Sequence, residues 1–121
     1  MTLNLPLMQN NILREDLDRV IEHLNKPDPK LTQGENVKMF EEEMAHYTGA
    51  PYAVSMNSCT NALFLACKWH NVEGKEVILP KRTYLSPPQS VLQAGGKLVF
   101  EDFEWEGLYK LKPFPIYDAA K

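Results

Sequence analysis

The second half of the chain alternates short apolar runs with helical patterns, and this alternation constrains the fold more than any other feature. Four apolar runs have the length of buried strands: residues 52–56, 77–79, 97–100 and 116–117. Helical patterns separate the first three runs, at the spacing that parallel strands with right-handed crossovers require. The sequence therefore predicts an α/β fold with a mostly parallel sheet.

The first half is expected to be helical. Apolar side chains repeat at helical spacing in two stretches, one beginning at Leu13 and one near Glu35. The prolines of residues 26–29 end the first stretch, and Gly49 is a C-terminal stop for the second. With an extended arm over the first ten residues, this predicts a single domain. An arm, a helix and a linker form residues 1–34, and an α/β core forms residues 35–121.

Length and composition exclude several classes of protein. The 121 residues are 44% apolar and 24% charged, which suits one domain with a real core rather than a disordered chain. A net charge of −3 does not favour nucleic-acid binding. No apolar run is long enough to span a membrane, and the absence of a signal-peptide pattern favours the cytoplasm. Two cysteines, Cys59 and Cys67, match neither a disulfide framework nor a metal site.

Polar and aromatic residues follow three of the predicted strands. Residues 57–61, Asn-Ser-Cys-Thr-Asn, open a helix directly after the first strand. Free amides and hydroxyls at a helix N-terminus suit a phosphate, although a plain serine cap explains the same residues. Tyr84 follows the second strand with two cations, and Asp118 follows the last strand.

These three groups have complementary chemistry. In an open α/β sheet, ligands bind at the carboxyl ends of the strands. A phosphate cradle, an aromatic plate and a carboxylate are together what pyridoxal phosphate (PLP) requires, because its ring nitrogen needs an anion to stay protonated. The sequence therefore predicts a PLP site at this edge of the sheet.

Two other features have alternative interpretations. The acidic triplet at residues 41–43 is typical of a solvated helix face, although acidic clusters also bind metals. The aromatic residues of segment 101–115 would form either a ligand wall or a surface loop pinned by its own rings. The three histidines are isolated on predicted helices, which favours surface or structural roles.

A series of short motifs resembles the DegT/DnrJ/StrS family of sugar aminotransferases. Residues 53–63 resemble the family's S-G-T-x-A-L cofactor motif, and residues 76–80 followed by Thr83 and Tyr84 resemble D-E-V-I-x-P with T-aromatic. Residues 95–102 are similar to G-A-x-P-V-F-x-D, and residues 117–120 to E-D-A-A. The likeness is collinear from about Leu13 to Lys121.

The resemblance implies the N-terminal part of a PLP-binding large domain of the type I aspartate aminotransferase fold, with three α/β/α layers. The amides of Cys59 and Thr60 and the Thr60 hydroxyl would hold the cofactor phosphate. Tyr84 would stack on the ring, and Asp118 would pair with the ring nitrogen. Cys59 stands where the family commonly has glycine, so a positive φ there would be costly.

The family resemblance also implies the reaction and its partners. Members move an amino group, usually from glutamate, onto a nucleotide-linked keto sugar, and they are homodimers with shared active sites. The family's Schiff-base lysine and C-terminal domain lie beyond the position that matches Lys121. We therefore expect the chain to be inactive alone and to self-associate, with no catalytic residue and no metal ligand assigned.

Two further hypotheses follow from the same residues. The half-fold could instead form a non-catalytic module that binds a phosphate ligand or a protein partner. A small stand-alone Rossmann-like domain is disfavoured because no G-x-G-x-x-G follows any predicted strand.

Overall fold

The computed structural model describes residues 12–119, which contain four helices and four strands. The chain divides into two compact units between Ala53 and Val54, whereas the sequence placed the start of the α/β core at residue 35. The predicted N-terminal arm and Lys121 lie outside the described residues. No helix within residues 12–119 combines the length and apolar character that a membrane span needs.

The first unit contains helices α1 (Arg14–Leu24) and α2 (Glu35–Thr48), close to the predicted bounds. Gly49 ends α2 with a left-handed φ of 70°, which confirms the predicted stop. His23 contacts both the connecting segment and α2: one ring nitrogen lies 3.1 Å from the Lys30 carbonyl, and the other lies 3.2 Å from the side-chain amide of Asn36 in α2. Since a carbonyl can only accept, Nε2 of His23 is the nitrogen that donates. This histidine is therefore structural.

The second unit contains the strands. Helix α3 (Cys59–Trp69) precedes strand β1 (Glu76–Pro80), helix α4 (Ser86–Gln93) and strand β2 (Lys97–Glu101). Strands β1 and β2 are parallel, with Glu76 opposite Lys97 and Pro80 opposite Glu101, as the sequence predicted. The short strands β3 (Tyr109–Leu111) and β4 (Ile116–Asp118) form an antiparallel pair. An antiparallel bridge between Ile78 and Lys112 joins the two pairs.

The core of the second unit lies between the helices and these strands. Leu79 and Val77 of β1, Leu111 of β3 and Val91 of α4 are all completely buried. On the opposite face of α3, Leu65 is 50% exposed and Trp69 is 87% exposed. Apolar side chains therefore occur on both faces of α3. The buried residues of α3 are Leu63 and Cys67, which lie on one face of the helix.

One expectation about the strands was wrong. Residues 52–56 form no strand, and Tyr52 and Val54 are 85% and 76% exposed. An apolar run becomes a strand only where a partner satisfies its backbone groups, and no ladder forms there in the described chain. The predicted last strand is present as β4, and it pairs antiparallel with β3. The four residues between β3 and β4 are too few for a crossover, so the connection must be a hairpin.

Candidate active site

The N-terminus of α3 has the form of an anion site. Ser58 is the N-cap, and its Oγ accepts a hydrogen bond from the Asn61 amide at 3.2 Å. The first backbone bond of the helix runs from the Ala62 amide to the Ser58 carbonyl. The amides of Cys59 and Thr60 therefore precede the intrahelical ladder, where they can bind an anion. Cys59 is not among the described residues with positive φ, so a cysteine in place of glycine is compatible with this backbone.

Asp118 lies at the C-terminal end of β4 and is 5% exposed. Its Oδ1 is 4.0 Å from the Cys59 Sγ, and its Oδ2 accepts a hydrogen bond of 2.8 Å from the Tyr109 hydroxyl. The structure thus brings Cys59 and Asp118 together, although 59 residues separate them. A buried carboxylate therefore stands beside the start of α3, although no strand precedes that helix in the described part of the chain.

Thr60 is placed by packing between two helices. Its carbonyl accepts from the Ser90 Oγ at 3.1 Å, and the same hydroxyl lies 2.9 Å from the Ser86 carbonyl. Ser90 is completely buried, so this contact holds the first turn of α3 against α4. The N-terminal end of α3 is therefore supported from within the unit.

Tyr84 is placed differently from the other three predicted residues. It lies on the loop after β1, is 78% exposed and does not line the pocket beside Asp118. The residue of this loop that reaches the site is Thr83, whose Oγ1 is 2.6 Å from the Tyr109 hydroxyl. The structure thus brings three of the four predicted site residues to the start of α3, and Tyr84 stays on the neighbouring loop.

Tyr109 is the site residue that sequence reasoning missed, since it lies in the segment that was difficult to interpret. Its ring meets that of Trp105 edge-on at 4.8 Å, and the Trp105 Nε1 donates to the Arg82 carbonyl at 2.7 Å. Residues 102–108 are therefore a loop pinned by an aromatic side chain. The signal for β3 was the alternation of Tyr109 and Leu111 with lysines, followed by a proline turn and a predicted strand, which is a hairpin pattern.

A pocket of about 280 Å³ lies between α3 and β4. Asp118 and Cys59 line this pocket together with His70 and with apolar side chains, among them Leu63, Ala66 and Ile116. Burial raises the pKa of the Tyr109 hydroxyl well above its usual range. Asp118 adds to this effect, and the hydrogen bond from Thr83 opposes it. The phenol is therefore protonated at neutral pH.

The same carboxylate acts on Cys59. Partial burial, with a smaller contribution from the charge of Asp118, raises the pKa of the Cys59 thiol. We expect Asp118→Asn to lower that pKa and to speed alkylation of Cys59 by iodoacetamide at pH 8 about twofold to threefold. At 4 Å a unit charge in water is worth about 1 kcal/mol, and the lower nucleophilicity of a more acidic thiol offsets part of the gain.

Peptide mass spectrometry would separate Cys59 from Cys67, which is completely buried. Asp102→Asn is the matched control because Asp102 is an exposed carboxylate whose ion pair is with Lys81. Equal alkylation rates in Asp118→Asn and the unmodified chain would contradict the expectation.

Residues 3–115 match the model of the DegT/DnrJ/EryC1/StrS aminotransferase family. The chain belongs to this family. It is 38% identical over 117 residues to the spore coat polysaccharide biosynthesis protein SpsC of Bacillus subtilis, covering 96% of this chain and 29% of that protein. It is 35% identical over 97 residues to the UDP-4-amino-4,6-dideoxy-N-acetyl-beta-L-altrosamine transaminase of Campylobacter jejuni, covering 80% of this chain and 25% of that enzyme.

The fold agrees with this family assignment. The Streptococcus pneumoniae protein Spr1654, described as a sugar aminotransferase and solved in its PLP form, matches with a TM-score of 0.75 and 29% identity. The match covers 84% of this chain and 26% of that protein. The α/β fold predicted from the sequence is thereby confirmed as part of a PLP-dependent aminotransferase fold. The chain spans between a quarter and three tenths of the length of these relatives.

Proposed function

We propose that this chain forms the N-terminal part of the cofactor-binding domain of a PLP-dependent aminotransferase acting on nucleotide-linked keto sugars. The observation that supports this most is the 4.0 Å approach of Cys59, at the start of α3, to the buried Asp118 carboxylate. This approach supports one small site in which the amides at the start of α3 would bind the phosphate and Asp118 would pair with the ring nitrogen. Two relatives favour a nucleotide-linked sugar: the Campylobacter transaminase, which is named for a UDP-linked amino sugar, and the GDP-perosamine synthase of Vibrio cholerae.

The residues present fit the cofactor at both ends. The amides of Cys59 and Thr60, with the Thr60 hydroxyl, would hold the phosphate at the positive end of α3. Asp118 would pair with the ring nitrogen from its buried position. Tyr84, exposed on the loop after β1, would stack on the ring face. When bound, PLP supplies the electron sink that amino-group transfer needs.

Each of these residues has a separate task in the proposed reaction. Asp118 holds a proton at the ring nitrogen, because a buried anion favours the protonated ring. The start of α3 would orient the cofactor through its phosphate. Glutamate is the proposed amino donor, and self-association of the chain stays a prediction.

The proposal is tested by binding of pyridoxamine phosphate (PMP) to the purified chain, measured by isothermal titration calorimetry. PMP carries an amine instead of an aldehyde, so it does not label lysines at random. We expect Asp118→Asn to weaken PMP binding about tenfold or more, since a hydrogen bond to a charged group contributes about 1.5–3 kcal/mol. Asp102→Asn, which changes an exposed carboxylate, should leave the affinity unchanged.

Inorganic phosphate distinguishes this proposal from a non-catalytic phosphate-binding module. A cofactor site loses affinity for PMP but not for phosphate when Asp118 is neutralised. A simple phosphate site binds both ligands without regard to Asp118. Failure of the unmodified chain to bind PMP, or equal PMP affinity in Asp118→Asn, would overturn the cofactor proposal.

A further inference from the structure

A chain of hydrogen bonds runs from the loop after β1 to the Asp118 carboxylate. The Thr83 Oγ1 is 2.6 Å from the Tyr109 hydroxyl, and that hydroxyl donates to the Asp118 Oδ2 at 2.8 Å. A phenol has a single proton, which is directed at the carboxylate here. Thr83 must therefore be the donor to Tyr109, so this series of hydrogen bonds has a defined direction.

Tyr109, the middle residue of this hydrogen-bond series, is rigidly held. Tyr109 and Asp118 are direct partners across the β3–β4 pair, so their side chains share one face of the sheet. Both are buried, at 4% and 5% exposure. The edge-on contact with Trp105, itself hydrogen-bonded to the Arg82 carbonyl, restricts the tyrosine ring further. The hydroxyl thus stands at a fixed position opposite the carboxylate.

We propose that Tyr109, supported by Thr83, is a positioning residue that sets the orientation of the Asp118 carboxylate for contact with the cofactor ring. Anchoring Oδ2 restrains rotation of the carboxylate and places Oδ1 on the side of Cys59 and α3. Thr83 also adjoins Tyr84, so the same network ties the loop of the proposed stacking ring to the carboxylate. The role in cofactor contact rests on the proposed function; the orienting role does not.

The orienting role is tested without cofactor, through the pH profile of Cys59 alkylation. The titratable groups around this thiol are Asp118 from β4, Tyr109 from β3 and, in the lining of the same pocket, His70, which caps the C-terminus of α3. Tyr109→Phe removes the anchor, so the carboxylate turns toward water and repels the thiolate less. We expect alkylation of Cys59 at pH 8 to rise about twofold, no more than in Asp118→Asn, because the charge is displaced rather than removed.

Tyr117→Phe is the matched control because it makes the same change at the residue beside Asp118 in β4. The Tyr117 side chain is 56% exposed. Thr83→Val removes only the outer hydrogen bond and should shift the Cys59 profile in the same direction by less. Thr83→Val also provides the test of the orienting role if Tyr109→Phe does not fold. The orienting role would be overturned if the pH profile of Cys59 alkylation in Tyr109→Phe or Thr83→Val matched the profile in Tyr117→Phe. A profile shifted to higher pH would overturn it as well.

The cofactor role is tested by comparing PMP with its benzene analogue, in which carbon replaces the ring nitrogen. A general loss of protein stability weakens the binding of both ligands alike, whereas loss of a positioned carboxylate weakens the binding of PMP alone. We expect Tyr109→Phe to reduce the ratio of the PMP affinity to the affinity of the benzene analogue about threefold. Tyr117→Phe should leave this ratio unchanged. An unchanged ratio in Tyr109→Phe would overturn this role. Absence of PMP binding by the unmodified chain would instead overturn the proposed function, and the Cys59 profile would still decide the orienting role.

Discussion

Leu79→Ala is expected to lower the free energy of unfolding of the second unit by about 2–5 kcal/mol. Leu79 lies in β1, is completely buried and pairs in register with Phe100 of β2. Truncation to alanine removes apolar contacts and leaves a cavity in a close-packed interior, and both effects are unfavourable. A loss of this size is a large fraction of the stability of a small unit.

Urea unfolding followed by far-ultraviolet circular dichroism and by tryptophan fluorescence would measure this loss. Leu92→Ala is the matched control, since it makes the same substitution in α4 at a residue that is 57% exposed. We expect the control to change the free energy of unfolding by about 0.5 kcal/mol or less. Similar losses in the two variants would mean that β1 is not the centre of the core.

Gly96→Ala is expected to destabilise the same unit by about 1–3 kcal/mol through overpacking. A Cβ at this position would lie 2.7 Å from the Val91 Cγ1 and 3.2 Å from the Val72 Cγ2. Both valines are completely buried and cannot move aside. The Gly96 amide also donates to the Val91 carbonyl at 2.9 Å, so the close approach of the backbone is part of the fold.

A double-mutant cycle tests the cause of this effect. Val91→Ala removes Cγ1, the atom nearest the added methyl group, so Gly96→Ala should be less unfavourable by about 1 kcal/mol in that background. Urea titrations of the two single variants and the double variant would supply the cycle. Strict additivity would show that the clash with Val91 is not the reason glycine is needed.

Local patterns in the sequence predicted the elements whose causes are local. The bounds of α1 and α2 follow from apolar spacing and from Gly49, and the start of α3 follows from the Ser58 cap. The parallel β1–β2 pair follows from two apolar runs separated by a helix. These features depend on residues a few positions apart, and periodicity and capping chemistry report such interactions directly.

Features that depend on distant partners were predicted less well. Residues 52–56 have the composition of a strand but no ladder partner, and composition does not reveal whether a partner exists. Tyr109 was missed because its importance comes from Asp118 and Thr83, which lie 9 and 26 residues away. The need for glycine at position 96 similarly arises from two valines that belong to other segments.

The sequence by itself determined the family, the α/β class and the chemical types that gather at the strand ends. Motif order and residue type are properties of the chain, so they are readable before folding. The tertiary structure alone decided which of these groups meet: Asp118 with Cys59 and Tyr109, but with Tyr84 left on an exposed loop. Contacts of a few ångströms depend on how the hairpin packs beside α3, and that packing is set by the whole core rather than by any single segment.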